Sequence, residues 1–130
     1  MKLKILLIED NEQNLYLMTY LLEHAGYQVV PAPDGRRGVD LAAAHDLALI
    51  LLDIQLPGMD GYAVAQALRA NRALDGVPIV AVTSYAMAGD REKILAAGCA
   101  HYMEKPIDPD SFVEEIGLHL AGSTQSREGE

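Results

Sequence analysis

Leu47-Ala48-Leu49-Ile50-Leu51-Leu52-Asp53 is the stretch whose reading decides the fold: six apolar residues in succession, ended by a carboxylate. A strand with one wet face alternates apolar and polar residues, and this run does not alternate. It therefore suits a strand buried on both faces of a parallel sheet. Ile5 to Ile8, Pro78 to Val82 and, more weakly, Val29-Val30 have the same character. His101-Tyr102-Met103, just before Lys105-Pro106, supplies a fifth candidate.

The segments between these runs carry helical spacing. Leu15, Met18, Leu22 and Ala25 share one helix face, with Asn11 as N-cap and Gly26 as the C-terminal stop. Val64, Ala67 and Leu68 mark another helix, and Ile94 and Leu95 one that ends at Gly98. Phe112, Val113, Ile116 and Leu120 form the last, opened by Asp108-Pro109 in N-cap and first-turn order. A weaker helix covers Arg36 to Ala44 after the Asp34-Gly35 turn. Strand and helix alternate five times, which calls for an α/β fold with a parallel sheet and helices on both faces. One domain over residues 1–121 accounts for all of this, and the apolar-free residues after Gly122 predict a disordered polar tail over 122–130.

Composition narrows the function. The 130 residues are 50% hydrophobic, enough for one core, and carry 19 acidic against 10 basic side chains for a net charge of -9. Such a charge opposes contact with DNA or an anionic membrane. Cys99 is the single cysteine, so no internal disulfide can form. The run Ile5 to Ile8 is too short for a signal-peptide core, and no apolar run approaches the ~20 residues that span a bilayer. A cytoplasmic protein is expected.

In open parallel α/β sheets, reaction sites gather at the carboxyl ends of the strands. Those ends deliver Glu9-Asp10, Asp53, Thr83-Ser84 and Lys105-Pro106. Three carboxylates drawn together must hold protons or bind a cation, and Mg²⁺ accepts oxygen ligands of this kind. Asp10 and Asp53 are the expected direct ligands, with a backbone carbonyl near Gln55, and Glu9 acting through water. Asp53, held by the central strand, is the candidate nucleophile toward phosphorus. The Lys105 ammonium and the Thr83 hydroxyl would steady the peripheral phosphoryl oxygens. Taken singly, a strand-end Asp often only caps a helix, and a Lys before Pro often only decorates a surface. Five suitable groups at four strand ends outweigh that reading. His24, His45, His101 and His119 lack metal-ligand spacing, and Cys99, after a helix-ending Gly98, suits a small buried apolar role.

The pieces Ile8-Glu9-Asp10-Asn11, Asp53-Ile54-Gln55-Leu56-Pro57-Gly58-Met59-Asp60-Gly61, Val82-Thr83-Ser84 and Lys105-Pro106 resemble, in order and separation, the receiver domains of two-component response regulators. The match spans about Lys4 to Ala121. Glu9-Asp10-Asn11-Glu12, Ala86-Met87 and Gly98-Cys99 look most like the single-domain members that regulate cell division. The resemblance implies a flavodoxin-like, doubly wound (βα)5 fold with strand order 2-1-3-4-5. It implies Asp53 as phosphoacceptor, Glu9 and Asp10 as the acidic Mg²⁺ pair, Thr83 as the hydroxyl that follows the phosphoryl group, and Lys105 as its ion-pair partner. It also implies a cis bond before Pro106, and at Tyr102 a switch aromatic that rotates inward on activation.

The partners so implied are a histidine kinase or histidine phosphotransfer protein, and a downstream protein docking on the face of the fourth helix, fifth strand and fifth helix, about Met87 to Ala121. A homodimer formed on phosphorylation belongs to the same expectation. With no output domain after Ala121, the chain would act by docking or by passing its phosphoryl group onward, as a relay intermediate or phosphate sink. An aspartyl-phosphate phosphatase fits less well, because such enzymes carry a second Asp where this chain has Gln55. The chain is thus expected to catalyse only its own phosphorylation and dephosphorylation. A flavin-phosphate module is opposed by the acidic loop Glu9-Asp10-Asn11-Glu12, and no G-x-x-x-x-G-K-[ST] nucleotide loop occurs.

Overall fold

Chain order in the computed structural model, which describes residues 2–56, 60–84 and 88–128, is strictly alternating. It runs β1 (Lys4–Ile8), α1 (Glu12–His24), β2 (Gln28–Ala32), α2 (Gly35–Ala44), β3 (Leu49–Asp53), α3 (Gly61–Ala70), β4 (Ile79–Thr83), α4 (Ala88–Ala96), β5 (His101–Glu104) and α5 (Pro109–Glu128), with a 3-10 turn at Arg72–Leu74. Pro57-Gly58-Met59 and Ala86-Met87, both used in the family resemblance, lie outside the described residues.

The strands form one parallel sheet in the order β2-β1-β3-β4-β5, as expected. Period-two alternation divides the core in two. Leu6, Ile8, Ile50, Leu52, Ile79 and Ala81 face a cluster completed by α2, α3 and α4 through Ala42, Val64, Leu68 and Ile94. Ile5, Leu7, Leu49, Leu51, Val80 and Val82 face the opposite cluster, completed by α1 and α5 through Met18, Leu22, Phe112 and Ile116. The unbroken apolar run of β3 has this cause: every side chain from Leu49 to Leu52 is fully buried, whichever face it meets.

Local chemistry fixes the helix starts. Asn11 Oδ1 accepts from the Asn14 N–H at 2.9 Å, Asp34 Oδ1 from that of Arg37 at 2.7 Å, and Asp60 Oδ1 from that of Tyr62 at 2.9 Å. Gly26 and Gly98 follow α1 and α4 with φ of 100° and 104°, a backbone region open to glycine at little cost.

Three boundaries differ from expectation. β3 starts at Leu49, two residues late, although the Ala48 N–H already donates to the Lys4 carbonyl of β1 as the chain enters the sheet. β2 is longer than Val29-Val30 and includes Pro31, which the sheet tolerates because β2 is an edge strand. α5 runs on to Glu128, over residues 122–128 of the expected tail. Among the described residues, no helix is long and apolar enough to cross a membrane.

Candidate functional site

Parallel pairing brings the strand ends level: Ile8 lies beside Leu52, Asp53 beside Val82, and Thr83 beside Glu104. The residues just past those ends therefore converge. Glu9, Asp10 and Asp53 each offer a carboxylate oxygen, and these oxygens lie within 4.8 Å of one another. It is the only group of three potential metal ligands among the described residues, and none of the four histidines joins it. Glu9 and Asp53 are 1% and 2% exposed, whereas Asp10 is open to solvent.

Lys105 reaches into this cluster from the loop after β5. Its Nζ donates to Asp53 Oδ2 at 3.0 Å and forms an ion pair with Glu9 Oε1 at 2.9 Å. Glu9 Oε1 is a buried carboxylate oxygen whose partner across this contact is the Lys105 ammonium. The Lys105 backbone N–H donates to the Thr83 carbonyl at 2.8 Å, tying β5's exit to the end of β4, and the Lys105-Pro106 bond is cis. Glu9 Oε2 accepts from the Asn11 N–H at 3.2 Å, and Asp53 Oδ1 from the Gln55 N–H at 2.9 Å.

Burial dominates the electrostatics. Desolvation, reinforced by the neighbouring Asp53, pushes the Glu9 carboxyl up to about 7, against the pull of Lys105 and the Asn11 N–H. Burial alone would lower Lys105, but Glu9 and Asp53 together outweigh it and hold the ammonium above its ordinary value. Three carboxylates facing one ammonium leave two negative charges when all are ionised, the charge of one divalent cation. Their clustered oxygens and this uncompensated charge fit a hard ion such as Mg²⁺.

Thr83 is buried, at 2% exposure, on the sheet face shared with Ala81 and Tyr102. Gln55 stands half-buried beside the cluster, and its side-chain carbonyl accepts from the Ser84 N–H at 3.2 Å, linking the loops after β3 and β4. Tyr102 is half-buried, and its hydroxyl accepts from Arg91 Nη2 at 2.6 Å and Nε at 3.1 Å. Neither the Gln55–Ser84 link nor the Arg91–Tyr102 pair was foreseen from sequence. Both join side chains on different elements, and no local pattern announces them. His101 and His119 stack at 4.2 Å between ring centroids, and Cys99 is buried with its thiol pushed up to about 11, as its apolar surroundings require.

Comparison with known proteins points one way. The family model for the response regulator receiver domain matches residues 5–117. The polar-differentiation response regulator DivK of Brucella ovis is 40% identical over 116 residues, which covers 89% of this chain and 94% of that protein. The receiver domain of the sensor histidine kinase PA1611 from Pseudomonas aeruginosa, whose crystal structure holds a magnesium ion in the active-site cleft, superposes with a TM-score of 0.85 at 34% identity, covering 93% of this chain and 99% of that one. A CheY-like receiver domain from Methanospirillum hungatei gives 0.87 at 28% identity, over 97% and 99% of the two chains.

Proposed function

The chain belongs to the response regulator receiver domain family, and from that premise we propose that it is a signalling switch that takes a phosphoryl group on Asp53 from a histidine kinase or histidine phosphotransfer protein, with Mg²⁺ bound. The observation that carries this reading is the Lys105 ammonium seated between Glu9 and Asp53, with the Asp10 carboxylate closing the same cluster.

Asp53 ends a fully buried central strand, and hydrogen bonds from Gln55 and Lys105 fix both of its oxygens. Fixed alignment is most of what phosphoryl transfer asks of a protein. The P–N bond to the donor histidine breaks as a bond to an Asp53 oxygen forms; the electron pair stays on the ring nitrogen, and the imidazole, already protonated on its other nitrogen, leaves as the neutral ring. Lys105 then exchanges a carboxylate partner for a phosphoryl oxygen and keeps its place. Thr83, on the neighbouring strand end, donates its hydroxyl to another. Glu9, Asp10 and Asp53, together with the Gln55 backbone carbonyl, would hold the metal. When bound, Mg²⁺ offsets the charge of the carboxylates and of the phosphoryl oxygens.

The signal would pass to a downstream protein on the α4-β5-α5 face, with Thr83 and Tyr102 as the moving parts, and phosphorylation would favour a homodimer. The net charge of -9 supports a protein partner over DNA or a membrane. Gln55 in place of a second Asp leaves no general acid for turnover of other phosphomonoesters, so the chain acts on its own acyl phosphate only. Incubation with Mg²⁺ and acetyl phosphate should add the mass of one phosphoryl group to the intact protein. Asp53→Asn should remove the adduct; a D53N protein labelled at the wild-type level would reject the assignment.

A further inference from the structure

Tyr102 and Thr83 lie on one face of the sheet, the face covered by α4, as diagonal neighbours on β5 and β4. The residue directly across from Tyr102 is Ala81, whose methyl group presents little bulk to a turning ring. What engages the Tyr102 hydroxyl is Arg91, from the exposed side of α4. Two guanidinium nitrogens donate to that one oxygen, and the guanidinium carbon stands 5.3 Å from the ring centroid. Tyr102 also lines a groove of about 370 Å³ with Ile107 and Glu115, between β5 and α5.

We infer that Arg91 is a positioning residue that latches Tyr102 in its outward, half-exposed place, so that the inward turn required for signalling must first break this contact. The inference rests on the phosphorylation reading given above and adds a regulating residue to it. The contact favours the outward state, because an inward turn of the ring carries the hydroxyl away from both Arg91 donors. An exposed charged hydrogen bond with a cation–π component biases such an equilibrium on the order of threefold to tenfold. A ligand that selects the inward state has its apparent affinity reduced by the same factor.

Beryllium fluoride with Mg²⁺ is a suitable probe, because it binds where the phosphoryl group sits and leaves the protein unmodified. Arg91→Ala should tighten its apparent affinity by roughly threefold to tenfold. Loss of a cation by simple electrostatics would weaken the binding of an anion, so the expected sign is opposite to that of a generic charge effect. In a Tyr102→Phe background, which lacks the hydroxyl, Arg91→Ala should change the affinity by less than about half that factor. Arg91→Lys, which keeps the charge but not the forked contact, should fall between wild type and R91A. Unchanged or weaker binding in R91A, or equal tightening with and without the Tyr102 hydroxyl, would overturn the latch while leaving the phosphoacceptor reading intact. Failure of the wild-type protein to bind the probe at Asp53, checked against D53N, would remove both.

Discussion

Lys105 and Tyr102 are separated by only two residues of chain, Met103 and Glu104, yet they are held in opposite ways. Lys105 sits between two carboxylates that are almost wholly buried, and its own side chain is only 14% exposed. Tyr102 is held by Arg91 at the surface, where water competes for every donor. In the first region loss of one partner strands a buried charge; in the second it frees a side chain to move. Rigid chemistry and movable readout thus sit on β5 and on the loop that leaves it, and burial sets the division between them.

Lys105→Met should produce the largest effect. It strands the Glu9 and Asp53 charges, and at pH 8 without metal it should cost about 3 kcal/mol in urea unfolding. It should also slow phosphorylation by acetyl phosphate at least about a hundredfold, by loss of charge stabilisation at the transferring group. A cost below about 1 kcal/mol would place this pair with ordinary surface ion pairs and erase the contrast.

Glu9 sharpens the comparison through pH. Its carboxyl in the folded protein is held near 7, above its ordinary 4.5, so between those values the folded state binds more protons than the unfolded one. Stability of the metal-free protein should therefore fall as pH rises from about 4.5 to about 7 and level off above, the whole change amounting to at most about 3 kcal/mol. Glu9→Gln should flatten that slope in urea titrations run at successive pH values. Mg²⁺ must displace the same proton, so its affinity should climb with pH up to about 7 and then plateau, with proton release measurable by calorimetry in two buffers. An affinity independent of pH over this range would mean that Glu9 does not carry the proton.

Arg91→Ala should show the smallest effect on stability, under about 1 kcal/mol, since its partners are half-exposed. A loss comparable to that of Lys105→Met would make Arg91 a structural residue and void its role as a latch.

The two regions were also unequally legible in the amino-acid sequence. Leu49 to Asp53 could be read because burial on both faces removes alternation, and Glu9, Asp10, Asp53 and Lys105 because parallel strands bring their carboxyl ends to one edge. The strand order itself came from family resemblance, since alternation alone allows several orders. β2 was half hidden by Pro31, tolerable only at an edge that the sequence does not mark. Arg91 and Tyr102 were not paired in advance because their meeting depends on how α4 lies over β5. The burial of Glu9 beside an exposed Asp10 was equally out of reach: adjacent residues leaving a strand end face different surroundings, which only the packed loops define.

Reductive trapping tests the central claim most directly. Borohydride converts an aspartyl phosphate to homoserine, which peptide mapping locates to a single residue. After incubation with acetyl phosphate, homoserine should appear at position 53, should require Mg²⁺, and should vanish when EDTA is added beforehand. Conversion at another carboxylate, or conversion at 53 undiminished by EDTA, would contradict the account.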